Sequence, residues 1–138
     1  TGRTMSGGLD AGAMVGPRQL LGAARNLESG GSLTVIGTVL VETGSRMDDY
    51  VYEDLKGTAN SETHLDRELF ENRKFPPLDV KKSKTRREEL LLDPTTLNKI
   101  WILRQFMTKM SPSECIELFQ DRMRKTDTNE EFLESMKG

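Results

Sequence analysis

The sequence predicts an α/β fold that ends in a small group of helices. Residues 32–42, SLTVIGTVLVE, place apolar side chains on both faces of an extended chain, which is typical of a strand covered on two sides. A helix-like run at 17–29 precedes this strand, and from Asp93 onward short helices with their own start signals take over. A parallel sheet with packed helices, followed by helices alone, accounts for these three observations.

The N-terminal part begins with a predicted loop, because its first sixteen residues include five glycines and follow no helical or strand period. Pro17 suits the first turn of a helix, and the pair Gly30 and Gly31 predicts its end. After the buried strand, the polar turn TGSRMDD leads into a helix that ends at Gly57, with Asp48 as its expected N-cap.

The C-terminal part is predicted to mix short sheet segments with helices. SETHLDREL fits an edge strand or a helix, and we favour the strand. The paired prolines of KFPPLDV require an extended chain. Asp93 and Pro94 predict a helix start, and Ser111 with Glu114 and Thr128 with Glu131 predict capping boxes. The first of these helices has an apolar stripe of Leu97, Ile100, Leu103, Met107 and Met110, widened by Trp101 and Phe106. We therefore expect one domain over 1–92 and a helical subdomain over 93–138.

Composition excludes several classes of function. The net charge of -2 argues against a surface that coats nucleic acid by positive charge alone. A single histidine, His64, excludes a His-rich metal site, and the lone Cys115 cannot form an internal disulfide. No run approaches the ~20 apolar residues of a membrane span, so we expect a cytoplasmic protein without a membrane partner.

Two polar loops are candidates for phosphate contact. The opening loop combines glycines with Arg3, which suits close approach to phosphate but equally fits a frayed chain end. In TGSRMDD, Arg46 follows a buried strand, where ligands of open α/β sheets gather, although a plain connecting loop would have the same pattern.

Two further segments each allow a functional and a purely structural interpretation. Phe75 lies in an extended, proline-bound segment and could stack on a base or pack in the core. The basic run KKSKTRREEL could be a solvated face, or could present an arginine across a subunit boundary to a transferring phosphate. The phosphate-cradling motif G-x-x-x-x-G-K-[ST] does not occur. Ahead of these loops, no strongly apolar strand ends in an acidic residue, where a magnesium ligand would be expected.

Nine strings together carry a resemblance to a known family. They are, in order, SGGLDAGA, GAARN, GGSLTVIGT, ETGSRMDD, VYEDLKGT, KFPPLD, TRREELL, WILR and TNEEFLESMK. The chain resembles the C-terminal portion of the Rho family of bacterial transcription termination factors, which are RecA-like hexameric ATPases that depend on RNA. The likeness spans essentially the whole chain and implies the C-terminal half of a RecA-like P-loop core with a small helical end.

The resemblance implies RNA contacts in two loops that project into the central hole of the ring. The first loop matches GRTMSGGLD and makes Arg3, Thr4, Ser6 and Gly7 candidate contacts. The second matches TGSRM and implies that Arg46 contacts RNA, with Thr43 and Gly44 shaping the turn. The family commonly has lysine at the position of Arg46, and arginine keeps the positive charge.

The resemblance also implies nucleotide contacts. Phe75 matches the aromatic residue that stacks on adenine, and Arg73 matches an arginine near the subunit boundary. Arg86 matches the arginine finger that acts on ATP bound by the neighbouring subunit. ATP with Mg²⁺ would be held mainly by segments that this sequence lacks, so we expect no ATP hydrolysis from this chain alone.

The expected partners are RNA, further copies in a homohexamer and, indirectly, the RNA polymerase complex. Two alternatives stay open at this point. The chain could belong to another RecA-like machine, or it could be a freestanding binding module whose cluster from Lys81 to Arg87 docks RNA or an acidic protein.

Overall fold

The computed structural model describes residue 10 and residues 12–135. The chain divides into two compact units, Thr1–Asn60 and Ser61–Gly138. The predicted boundary between 92 and 93 falls within the second unit and stays a prediction. Within the described part of the chain, none of the helices is long and apolar enough to cross a membrane.

Among its described residues, the first unit contains two helices and a short hairpin. Its elements are α1 (Val15–Leu21), β1 (Arg25–Asn26), β2 (Ser32–Leu33) and α2 (Arg46–Lys56). The predicted helix over 17–29 is wrong beyond Leu21, because the chain turns at Gly22 and then forms β1, which pairs antiparallel with β2. Gly30 and Gly31 have φ of 93° and 85° and close this hairpin, since two successive residues with positive φ reverse the chain.

The predicted buried strand over 32–42 forms only at its start. Ser32 and Leu33 pair with β1, whereas residues 34–42 belong to no strand. Ile36 is 89% exposed and Leu40 is 69% exposed, so the expected burial on both faces is not observed. An apolar strand is stabilised by the strands and helices that flank it, and the described residues of this unit offer it one two-residue partner.

The sheet of the second unit is also small. β3 (Ser61–Glu62) pairs antiparallel with β4 (Lys84–Thr85), and a single bridge joins Leu65 to Leu78. The strand predicted for SETHLDREL is therefore wrong after its first two residues. Asp66 ends it, because its carboxylate accepts a hydrogen bond from the Leu69 backbone N–H at 2.8 Å and starts α3 (Arg67–Glu71).

The helical end forms as predicted from its capping signals. A 3-10 turn (Glu88–Leu90) leads to α4 (Pro94–Met107), α5 (Pro112–Met123) and α6 (Asn129–Ser135). The Asp93 carboxylate accepts hydrogen bonds from two backbone N–H groups of the first turn of α4, and Ser111 and Glu114 form a complete capping box. These local devices satisfy N–H groups that a helix start otherwise leaves without partners.

The core of the second unit lies among these helices. Its buried members are Leu103, Met107, Cys115 and Phe132, with Val80, Met110, Phe119 and Leu133 packed around them. The predicted apolar stripe of α4 is confirmed at Leu103 and Met107, and Cys115 is fully buried. Trp101 and Phe106 do not widen the core, since they are 58% and 60% exposed.

Candidate functional site

The turn before α2 holds the first group of predicted contacts. Gly44 has a φ of +76°, a backbone conformation that residues with a Cβ rarely adopt. The Thr43 hydroxyl donates a hydrogen bond to Asp48 Oδ2 at 2.7 Å and accepts one from the Ser45 backbone N–H at 3.2 Å. Ser45, rather than the predicted Asp48, is the N-cap of α2, which corrects the sequence interpretation. The turn is thus fixed by its own side chains.

Arg46 is the first residue of α2, and its side chain is exposed. A guanidinium at a helix start lies beside backbone N–H groups that point out of the helix, and both favour an anion. Asp48 and Asp49 lie in the same turn, so this end of α2 also carries negative charge. The other predicted RNA contacts, Arg3, Thr4, Ser6 and Gly7, lie outside the described residues.

The extended segment around Phe75 belongs to the second unit. The Phe75 side chain is 54% exposed, and its ring meets the ring of Phe70 edge-on at a centroid distance of 5.8 Å. Its backbone carbonyl accepts a hydrogen bond from the Gln120 side chain on α5. More than half of the aromatic side chain therefore reaches solvent while its backbone is held by a helix.

The two residues before Phe75 differ in their contacts. Arg73 is exposed and adopts a left-handed backbone with a φ of 55°. The Lys74 ammonium instead contacts the Ser113 hydroxyl and the Glu117 carboxylate on α5. The segment is thereby anchored to α5 through one cation, and Arg73 lies beside that anchor.

The basic run from Lys81 to Arg87 is more than a uniformly solvated face. Lys81 Nζ donates hydrogen bonds to the carbonyls of Thr108 and Met110, at 3.2 Å and 2.7 Å, and so caps the C-terminal end of α4. Other members make ion pairs within the unit: Lys82 with Asp79, Lys84 with Glu62 and Arg87 with Glu89. Arg86 is exposed and directly follows β4.

Asp79 organises the start of this run and was missed by the sequence interpretation. It is 3% exposed, and its Oδ1 accepts hydrogen bonds from the backbone N–H groups of Lys81 and Lys82, each at 3.0 Å. Its carbonyl accepts a hydrogen bond from the Ser83 hydroxyl at 2.7 Å. The signal was present, because an aspartate shortly after prolines often accepts hydrogen bonds from N–H groups two or three residues later.

A second missed feature is an ion pair just after Arg86. Arg104 Nη1 on α4 donates a hydrogen bond to Glu88 Oε2 at 2.6 Å, and Nη2 donates to Oε1 of the same carboxylate. The Arg104 guanidinium lowers the pKa of Glu88, and that carboxylate raises the pKa of Arg104. Two parallel hydrogen bonds fix orientation as well as distance.

The described residues contain no group of three or more His, Cys, Asp or Glu side chains placed to hold a metal ion. His64 lies beside β3, with its Nε2 at 3.3 Å from a Glu62 carboxylate oxygen. Arg73, Phe75 and Arg86 belong to one unit and Arg46 belongs to the other. Their roles stay predictions.

Comparison with known proteins gives the family. Residues 17–85, half of the chain, match the ATP synthase alpha/beta family, nucleotide-binding domain. This match confirms the predicted α/β, RecA-like fold class, even though residues 34–42 belong to no strand. Phe75 lies within the matched residues, and Arg86 directly follows them.

Individual relatives confirm the resemblance seen in the sequence. Transcription termination factor Rho of Aquifex aeolicus is 54% identical over 136 residues, covering 99% of this chain and 31% of that protein. Rho of Bacillus subtilis is 52% identical over 134 residues, covering 97% of this chain and 31% of that protein. Rho of Pseudomonas aeruginosa is 48% identical over 137 residues, covering 99% of this chain and 33% of that protein.

These relatives do not favour the alternative of a freestanding binding module. The chain spans about a third of the length of the curated relatives that it matches. The chain belongs to the ATP synthase alpha/beta family of nucleotide-binding domains, and it is similar to transcription termination factor Rho.

Proposed function

We propose that this chain is part of an ATP-dependent RNA translocase that terminates transcription by acting on nascent RNA. The identity of about half of all residues with Rho, over nearly the entire chain, is the observation that carries this proposal. The intact protein would act as a homohexamer in the cytoplasm and would reach the RNA polymerase complex through RNA.

Arg86 is the proposed arginine finger. It is exposed, and its backbone is bracketed by β4 on one side and the 3-10 turn on the other. Its guanidinium would donate hydrogen bonds to the γ-phosphoryl group of ATP held by the neighbouring subunit and stabilise charge as that group is transferred. Such fingers accelerate phosphoryl transfer by roughly 10³ to 10⁵.

Phe75 and Arg73 are the proposed nucleotide-binding residues of this chain. The exposed ring of Phe75 offers a face of the size that stacks on a base, and its carbonyl is held by Gln120. Arg73 would lie near the subunit boundary and meet phosphate or ribose oxygens. The Mg²⁺ ion that accompanies ATP would be bound mainly by other segments of the intact protein.

The proposed RNA contacts are Arg46, Thr43 and Gly44 in the turn before α2, together with Arg3, Thr4, Ser6 and Gly7. Thr43 and Gly44 fix the turn, and Arg46 would attract a backbone phosphate of the threaded strand. Movement of this turn with nucleotide state would pull on the RNA. The net charge of -2 agrees with a few placed contacts better than with a continuous basic surface.

The Arg86→Ala variant of the full-length protein tests the finger. We expect RNA-stimulated ATP hydrolysis to fall by roughly 10³-fold or more, while ATP binding measured by a fluorescent analogue stays near the unsubstituted level. Arg124→Ala, which removes the same charge from the end of α5, should hydrolyse ATP normally. Normal turnover by Arg86→Ala would remove the finger assignment.

Arg46→Ala tests the RNA contact separately. We expect RNA-dependent stimulation of hydrolysis to weaken while nucleotide binding in the absence of RNA is retained, and Arg46→Lys to keep most of the stimulation. An equal loss of both properties in Arg46→Ala would contradict the assignment. The chain by itself should show no RNA-stimulated phosphate release.

A further inference from the structure

The segment that carries Arg86 is attached to α4 on both sides. At one end, Lys81 Nζ donates hydrogen bonds to the carbonyls of Thr108 and Met110 beyond the last turn of α4. At the other end, the Glu88 carboxylate receives two hydrogen bonds from the Arg104 guanidinium on the same helix. We call residues 79–90 the finger segment.

The backbone around Arg86 is also held locally. Thr85 pairs with Ser61 across β3 and β4, and their hydroxyl oxygens lie 3.1 Å apart. Arg87 then adopts a left-handed conformation with a φ of 53°, and the 3-10 turn begins at Glu88. A non-glycine residue with positive φ redirects the chain sharply and persists only where its surroundings hold it.

The attachment at Glu88 is better placed than that at Lys81 to set the direction of Arg86. Glu88 is two residues from Arg86, and its side chain is only 17% exposed. Arg104 follows the buried Leu103, and Met107 one turn later is buried in the same core. The Arg104 guanidinium therefore extends from a helix that the core holds in place, and its planar fork leaves Glu88 little freedom to turn.

We propose that Arg104 is a positioning residue that acts through Glu88 to hold Arg86 in the direction needed to reach a neighbour's transferring phosphate. The proposal rests on the proposed function of Arg86 as a finger. Catalytic groups must stay within about 0.5 Å of their productive position, and a misplacement of about 1 Å can lower rates by about 10²-fold. The helical end thus serves hydrolysis in the adjacent subunit.

A purely stabilising ion pair would have the same geometry, and a double-mutant cycle separates the two roles. Arg104→Met is made in the full-length protein with Arg86 present and again with Arg86→Ala. With Arg86 present, we expect kcat for RNA-stimulated ATP hydrolysis to fall roughly ten- to a hundred-fold, with an unchanged Kd for ATP. In the Arg86→Ala background, Arg104→Met should cause no further fall.

Three additional variants make the cycle decisive. Glu88→Gln keeps the shape of the side chain and should lower kcat in the same direction as Arg104→Met. The exchange Glu88→Arg with Arg104→Glu restores an ion pair and should recover part of the lost kcat. Lys125→Met breaks the exposed pair with Asp121 on α5, where the two groups lie 2.8 Å apart, and should leave kcat unchanged.

Two results would overturn the proposal. One is an unchanged kcat in a folded Arg104→Met or Glu88→Gln variant, with folding checked by thermal melting. The other is a fall of kcat on adding Arg104→Met to Arg86→Ala that is as large as the fall Arg104→Met causes when Arg86 is present. Full activity of Arg86→Ala alone would instead refute the proposed finger, so failure of the proposed function can be told apart from failure of the positioning role.

Discussion

Replacing Asp79 by alanine should destabilise the finger segment. The substitution removes the acceptor of two backbone hydrogen bonds from a side chain that is 3% exposed. A hydrogen bond to a charged group contributes about 1.5 to 3 kcal/mol. Lys81 and Lys82 are exposed, so water can partly replace the lost acceptor, and the lower figure applies to each bond. The expected loss is about 3 kcal/mol.

Asp79→Asn keeps an oxygen at the Oδ1 position and loses only the charge, so its expected loss is about 1 kcal/mol. Asp66→Ala is the matched control, because it removes an aspartate that accepts one backbone hydrogen bond at the start of α3. Its loss should also be about 1 kcal/mol.

Urea unfolding followed by circular dichroism measures all three variants. The free energy of unfolding is taken to fall by about 1.5 kcal/mol per molar urea. Asp79→Ala should then lower the urea concentration at the unfolding midpoint by about 2 M. Amide hydrogen exchange gives a local test, since the N–H groups of Lys81 and Lys82 should lose protection in Asp79→Ala but not in Asp66→Ala. Unchanged protection, or a loss no larger than that of Asp66→Ala, would refute the assignment of Asp79 as the residue that holds this turn.

Three other changes have expected outcomes that follow from single contacts. Ser111→Ala removes the N-cap acceptor of α5 and should cost about 1 kcal/mol in urea unfolding. Because Arg104 lowers the pKa of Glu88 in the folded chain, the pair stabilises the chain above the unfolded pKa of about 4.3. That stabilisation is lost as pH falls through the folded pKa. The free energy of unfolding of Glu88→Gln should therefore depend less on pH over this window than that of the unsubstituted protein. Met107→Ala should lower the free energy of unfolding by about 2 to 5 kcal/mol, whereas Met123→Ala, at a side chain 51% exposed, should have a much smaller effect.

The helical end was predictable because its signals are local. Asp93, Ser111 and Glu114 form their caps with residues two or three positions away, and the hydrogen bonds follow from that spacing alone. The apolar stripe of α4 was predictable only in part. Periodicity marks a face, but which members are buried depends on packing partners, and Trp101 is left largely exposed.

The candidate site divides in the same way. The resemblance predicts roles for Arg86 and Phe75, and both residues are exposed in the structure. The pairing of Glu88 with Arg104 spans sixteen positions and has no local signature, so sequence alone could not reveal it. The role of Asp79 was predictable in principle from turn chemistry, because its carboxylate accepts hydrogen bonds from N–H groups two and three residues later.

The unpaired apolar stretch at 34–41 has a practical consequence for handling the isolated chain. Its β-branched residues, the absence of charge and the 89% exposure of Ile36 combine in a segment with backbone groups outside any strand ladder. Segments of this kind associate with identical segments of other molecules by forming intermolecular strands. Solutions of the isolated chain should therefore scatter light increasingly as concentration rises, and a lysine in place of Ile36 should suppress that association.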